Sequence, residues 1–550
     1  MNFNSKLVSS SLSFIDDSSN MPFKIETVDK YGTLQFETIE YDMDMKPANI
    51  TIIFTIDSSA SMSDMSRDGR TKMDHSLFTM SRIIESLCDS NISAIVAVNH
   101  FNDEVHRVLD FTMLSSDNKD NIIYDIQAIQ PYGGTNMDAA LTDMNERINA
   151  EMLMGKSSKY IQMFMTDGEA NGGRVDSGVL SGLVPSGVSN IFIGYGMNHD
   201  ARMLSTLSDA QHNGEYRFID KIENSGLVYG EIIHNILYNL LDKPSITVEN
   251  GTIYNWKTNE WVQRLNLSNI STNAKRDFHV KAHTSKMKQV VVKLWAKEDE
   301  ENVCVGKIIA QDNNDDDMNL TRFAYKLRTQ ELLYEARKII SRTRVTPSLL
   351  FDSNDNKDKN DYIKTKLSAF MLRLNKYIAN NDLNNDNMMK LLQDDIYVCY
   401  NSINMPCSNM YTIARQTSQG NQRAYSTSTS IDLGHCDLGH CVKPTSTGMN
   451  LGNCGKPTLT RQVAGGYVIA GGYVKPDINM MHLPHTQLKR SVSVTPMSIH
   501  KSPSNESITS DEDEIEGDPF KDYNLIQQHI VKMTDTGNKD LNNLMRQMSG

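Results

Sequence analysis

Between about residues 50 and 242, short apolar runs alternate with longer amphipathic stretches. The runs are Ile52 to Ile56, Ala94 to Val98, Ile161 to Met165 and Ile191 to Tyr195. Runs that stay apolar over consecutive positions belong to strands covered on both faces, as in a parallel sheet flanked by helices. Between the first two runs, Met73, Leu77, Met80, Ile84 and Leu87 recur at helical spacing, which lines one face of a helix. Met137, Leu141, Met144 and Ile148 do the same further on. The pattern predicts a doubly wound, mostly parallel α/β sheet over residues 48–243. Its last apolar helix, 226–241, is expected to stop at Lys243-Pro244, because proline cannot propagate a helix.

The pattern changes on either side of this unit. Over 244–311 a polar turn, Lys257 to Glu260, separates Tyr254-Asn255-Trp256 from Trp261-Val262, and residues 289–296 are rich in β-branched and aromatic side chains. This predicts a β-sandwich-like module. Residues 21–47 also read as strands, with Leu34 and Phe36 alternating with Gln35 and Glu37. Their expected partners are the strands of 244–311, which would make the α/β unit an insertion in the sandwich. An acidic linker, Asp312 to Asp317, precedes a small helical module over 318–405. There Ile363, Leu367, Phe370, Leu374 and Tyr377 mark one apolar face. Residues 1–20 and the 415–550 tail are expected to be disordered. The tail is rich in Ser, Thr, Gly and Asn and carries the short repeats LGHCD/LGHCV and AGGYV/AGGYV, too little apolar surface to offset ordering entropy.

Composition narrows the function. The 550 residues hold 55 Lys and Arg against 68 Asp and Glu, a net charge of −13, the opposite of a nucleic-acid coater's footprint. Seven cysteines, without a dense framework, suit a reducing compartment. The first twenty residues lack an apolar signal-peptide core, and no stretch reaches the 18 apolar residues of a membrane helix. An intracellular, cytoplasmic protein is expected, with no nucleic-acid partner and no membrane span.

The candidate chemistry lies at strand ends. The first apolar run leads into Asp57-Ser58-Ser59-Ala60-Ser61, Thr135 stands in Gly133-Gly134-Thr135-Asn136 at a helix start, and Asp167 follows the third run in Met165-Thr166-Asp167-Gly168. In a parallel sheet these loops share the carboxyl edge, where open α/β sheets bind ligands. Helix capping would account for Asp57 and its neighbours, but not for Thr135 and Asp167 in register with them. Carboxylates and hydroxyls without imidazole or thiolate form a hard donor set suited to Mg²⁺, or Mn²⁺ or Ca²⁺. With only two carboxylates, such a site has room for waters or for an acidic side chain from a partner.

This D-x-S-x-S, threonine and T-D-G order resembles the von Willebrand factor A domain with its metal-ion-dependent adhesion site, over about residues 48–242. The resemblance implies that Ser59, Ser61 and Thr135 offer hydroxyls to the metal, while Asp57 and Asp167 act directly or through water. All five positions match the motif. The resemblance further implies an intracellular protein-interaction scaffold whose metal engages an Asp or Glu of a partner protein. The alternatives are an adaptor subunit of an ATPase or ubiquitin-type complex and, with less support, a metal-dependent hydrolase. No enzyme activity is expected, and the oligomeric state stays open.

Other motifs carry less. Gly194-Tyr195-Gly196 follows a strand, but His199 stands where a dinucleotide fingerprint needs glycine. Gly455-Lys456 lacks the flanking residues of a phosphate loop, having Asn450 and Pro457 in their places. Asp352, Asn354 and Asn356 are spaced like a calcium loop, but Lys357 and Ile363 replace its glycine and glutamate. His435, Cys436, His440, Cys441 and Cys454 offer soft ligands at a spacing atypical of zinc sites. His75, His100, His106, His199, His212 and His234 read as surface or core residues. Ser491, Ser493, Thr495, Ser502 and Ser510 stand in kinase-like contexts in the tail.

Overall fold

The computed structural model describes residues 8–14, 29–39, 49–65, 69–90, 92–154, 159–211, 214–220, 225–298, 301–310, 320–340, 353–405 and 407–422. The His/Cys repeat, the kinase-like sites, Gly455-Lys456, His212, the acidic linker and Asp352 lie outside them.

The chain opens with strands β1 (Val8–Phe14) and β2 (Asp29–Thr38). The α/β unit follows, with strands β3 (Ile50–Asp57), β4 (Ala94–Phe101), β5 (Val105–Met113), β6 (Lys159–Thr166), β7 (Ser189–Tyr195) and β8 (Glu215–Ile219). Its helices are α1 (Lys72–Asp89), α2 (Lys119–Gln127), α3 (Met137–Leu153), α4 (Ser177–Ser181), α5 (Ala201–Asp209) and α6 (Ser225–Leu237). The sheet order is β5-β4-β3-β6-β7-β8, parallel except for the edge strand β5. Successive side chains of a strand point to opposite faces. Accordingly Ile52, Phe54 and Ile56 of β3 pack with Met73, Leu77, Met80, Ile84 and Leu87 of α1, while Ile53 faces Met137, Leu141, Met144 and Ile148 of α3. The helix that follows β3 and the helix that precedes β6 thus cover opposite faces of the sheet, which opens a crevice at the carboxyl end of these neighbouring strands.

The remaining strands are β9 (Asn239–Glu249), β10 (Thr252–Asn255), β11 (Glu260–Val262), β12 (Arg264–Asn266), β13 (Ile270–Ser271), β14 (Lys275–His283), β15 (Val291–Glu298) and β16 (Glu301–Ile309). They form one sheet ordered β1-β2-β14-β10-β11 and a second ordered β12-β9-β15-β16, with β13 on β9. Strand β2 pairs with β14 from Glu37↔Lys275 to Asp29↔His283, so this sheet joins the chain on both sides of the α/β unit. One apolar core fills the space between the sheets, with Leu12, Leu34, Phe36 and Val280 from the first and Ile246, Val248, Val292 and Leu294 from the second.

Three boundaries differ from the sequence expectation. Residues 8–14, expected to be disordered, form β1, because Val8 and Leu12 are buried in the sandwich core; the serines between them mask the strand pattern. The last α/β helix ends at Leu237 instead of 241, and β9 runs on through Pro244. Leu241 is claimed by the sandwich core, and Pro244 falls where the pairing of β9 with β15 shifts register, a position that tolerates a residue without an N–H. The helical module contains α7 (Thr321–Ile340), α8 (Ser353–Asn380), α9 (Asn387–Ser402) and α10 (Ser408–Gly420). Helix α10 passes residue 415, the expected start of the tail, because its side chains are buried on all sides. Asn354 and Asn356 stand in the first turn of α8, not in a calcium loop. Among the described residues, no helix is long and apolar enough to cross a membrane.

Candidate metal centre

Strand β3 delivers Asp57 to the carboxyl edge of the sheet, fully buried. The backbone N–H of Ser59 donates to Asp57 Oδ1 at 2.8 Å, and Thr166 Oγ1 donates to Oδ2 at 2.5 Å. Burial pushes the Asp57 carboxyl up to about 6, against the pull of these hydrogen bonds and with a smaller upward contribution from the Asp167 charge. One residue beyond β6, Asp167 is equally buried and accepts from Ser61 Oγ at 2.8 Å. Ser59 Oγ lies 3.1 Å from Ser61 Oγ.

Thr135 comes from the loop before α3, which is held on several sides. Gly133 adopts φ +77°, favourable for glycine alone, and its carbonyl accepts from Ala60 N. Gly134 N donates to Asp103 Oδ2, and Asn136 caps α3 through Ala139 N. Thr135 and Asn171 exchange hydrogen bonds, Thr135 N to Asn171 Oδ1 at 2.8 Å and Asn171 N to the Thr135 carbonyl at 3.0 Å. This ties the Thr135 loop to the segment following Asp167.

The five sequence-predicted residues therefore meet in one place. Gly168 locates it: a Cβ there would lie 3.3 Å from Thr135 Oγ1 and 3.9 Å from both Asp57 Oδ2 and Ser61 Oγ. Oxygen donors surround this point, and the two carboxylates are withdrawn from water, which demands a positive charge nearby. The residues fit a small hard divalent cation such as Mg²⁺.

Sequence reasoning missed a cation already present. Lys72 Nζ lies 2.6 Å from Asp167 Oδ2 and 2.9 Å from Asp64 Oδ2. Burial opposes its charge, but Asp167, with help from Asp64, outweighs burial and holds the ammonium above the ordinary lysine value. Lys72 opens α1 after Thr71, which forms a reciprocal capping box with Asp74. A lysine in the first turn of a helix stands against the helix dipole. That signal, readable in Thr71-Lys72-Met73-Asp74, points to a nearby acid. Thr166 and Gly168 flank Asp167 in the T-D-G motif, which placed them at the site without giving either a role, and Asn171 had no signal, since its role depends on loops meeting in space.

Of the histidines, His100 Nδ1 lies 2.8 Å from the Oγ of Ser58, a fully buried residue whose hydroxyl donates to the Phe101 carbonyl. His199 is buried, with Nδ1 donating to the Gly196 carbonyl and Nε2 accepting from the Tyr216 hydroxyl. A Cβ at Gly194 would collide with its ring, so this glycine admits an imidazole to the core, not a dinucleotide.

Residues 51–229 match the family model described as von Willebrand factor type A domain. Similar solved structures include a von Willebrand factor type A protein from Catenulispora acidiphila, at 13% identity over 71% of this chain and 89% of that one, TM-score 0.49. The ArnB paralog VWA2 from Sulfolobus acidocaldarius is 12% identical over 76% of this chain and 100% of its own, TM-score 0.44. Proximal thread matrix protein 1 from the mussel byssus, with a zinc-occupied MIDAS motif, is 18% identical over 34% of this chain and 45% of its own, TM-score 0.28. No curated protein matches the chain.

Proposed function

Residues 51–229 are a von Willebrand factor type A domain, a protein-interaction module that often holds a divalent metal, and on that premise we propose that this chain binds an acidic side chain of a partner protein through Mg²⁺. The observation that carries this reading is the meeting of Asp57 Oδ2, Ser61 Oγ and Thr135 Oγ1 within 3.9 Å of one point, with Asp167 bonded to Ser61. Ser59, Ser61 and Thr135 would supply neutral oxygens, and Asp57 and Asp167 the charge. Two carboxylates leave a bound divalent ion with unspent affinity for a third, which a partner's Asp or Glu supplies. The ion's contribution is electrostatic; the chain's own residues orient it and keep water from its inner side. We assign no catalytic step: Ser58, which lies beside the site against the half-buried His100, is itself buried with its hydroxyl committed to the Phe101 carbonyl.

Titration calorimetry of the full chain tests the reading. One Mg²⁺ or Mn²⁺ per chain is expected, and Thr135→Ala should weaken it by about tenfold or more, the equivalent of one good ligand. Partner proteins retained in Mg²⁺ should be lost in EDTA and with Asp57→Ala, its folding checked by circular dichroism. Retention under all three conditions would place the interface elsewhere.

A further inference from the structure

The Lys72 ammonium sits against the same Asp167 carboxylate that the proposed metal needs. Its position is fixed from both ends. The backbone N–H of Lys72 donates to the Asp64 carbonyl at 3.1 Å, and Met65 bridges Thr71, which pins the root of the side chain at the rim of the site. Its tip passes Gly196, where an added Cβ would come within 3.6 Å of Cε and 4.0 Å of Nζ. The Lys72 side chain is 14% exposed and that of Asp167 is not exposed at all, so this pair lies where charges attract and repel strongly. Its second partner, the Asp64 side chain, is 58% exposed and stands outside the buried site.

We propose that Lys72 is a tethered cation that competes with the divalent ion for Asp167. The inference rests on the metal reading above. Without metal, the ammonium neutralises a carboxylate that would otherwise be buried and unpaired, and this keeps the apo domain folded. A divalent ion reaching Asp167 repels the ammonium, which moves outward and stays with Asp64, an exposed berth within its present reach. The exchange sets a threshold on metal affinity: the site fills only when the ion outcompetes an internal charge. It also means that an empty site does not expose two unbalanced acids.

The test uses the full chain and Lys72→Met, which preserves length and removes charge. Mn²⁺ affinity by titration calorimetry should tighten by about tenfold or more in the variant, since one unit of like charge beside the site is gone. Its melting temperature should fall in EDTA and recover in Mg²⁺, so that the metal-induced rise exceeds that of wild type. A lysine of merely structural value would lower the melting temperature equally in both conditions and leave the affinity unchanged or weaker, which overturns the proposal. If neither chain binds Mn²⁺, the metal reading itself fails, and the competition with it. A second measurement needs no variant: amine-reactive labelling of wild type, read by mass spectrometry, should increase several-fold at Lys72 on Mg²⁺ saturation while other lysines hold constant. Labelling that stays constant or falls at Lys72 as the ion binds overturns the proposal even if Lys72→Met does not fold.

Discussion

At the scale of single residues, burial determines which groups can carry charge. His199 has both ring nitrogens committed and is held neutral, its pKa lowered by burial to about 4. In the unfolded chain a histidine titrates near 6.5, so between these values the unfolded state binds the extra proton. Stability from His199 is therefore complete above about pH 6.5 and is lost as pH falls toward 4, by about 3 kcal/mol in the limit. Asp57 acts in the opposite sense without metal: its carboxyl, pushed up to about 6, favours folding as pH falls through that value. Comparing His199→Gln with wild type removes this common contribution. Urea unfolding in EDTA at pH 4.5 and 7 should show wild type losing about 2 kcal/mol more on acidification than the variant; equal losses would mean that the imidazole is not held neutral.

At the scale of elements, close approach rather than propensity decides what a helical glycine tolerates. Gly420 closes α10, and a Cβ there would collide with the Trp256 ring. Gly420→Ala should cost about 1–3 kcal/mol by overpacking and lower the melting temperature by several degrees. Gly230 within α6 has open space around it, so Gly230→Ala should be neutral or stabilise by up to about 1 kcal/mol. Thermal melts of the two variants side by side give opposite signs if packing decides, and the same sign if helix propensity decides. The buried faces of α1, α3 and α8 were legible as spacing, since every apolar position read there lies in or against a core. Strand β5 was not: its burial is intermediate throughout much of its length, as befits an antiparallel edge strand, and its sequence lacks a continuous apolar run.

At the scale of the whole molecule, α10 joins the modules. Tyr411 meets Phe218 of the α/β sheet edge to face at 5.5 Å, and Gln416 donates to the Trp256 carbonyl of the sandwich. Arg415, fully buried, pairs with Asp394 and with Asp395 of α9. Arg337 of α7 donates to both Gln416 and Ser205 of α5. Removing one member of a buried charge group leaves the others unbalanced, and Arg415→Ala should cost about 3–5 kcal/mol. Replacing all three with Arg415→Met, Asp394→Asn and Asp395→Asn should restore much of it. Denaturant midpoints of the single and triple variants decide this; equal losses would show that shape, not charge, holds α10 in place.

The sequence by itself determined the four apolar strands β3, β4, β6 and β7, the helix faces and the order of oxygen-bearing residues at strand ends, because periodicity and motif spacing are local properties of the chain. It also carried the anomaly of a lysine in the first turn of α1. Only the tertiary structure decided that Asp57, Ser61, Thr135 and Asp167 converge on Gly168 and that Lys72 already occupies one side of Asp167. The extent of β1, β9 and α10 was likewise decided by distant partners: the sandwich core takes Leu12 and Leu241, and the buried acids of α9 take Arg415. Those outcomes follow from desolvation and charge balance between segments far apart in the chain, which no local pattern encodes.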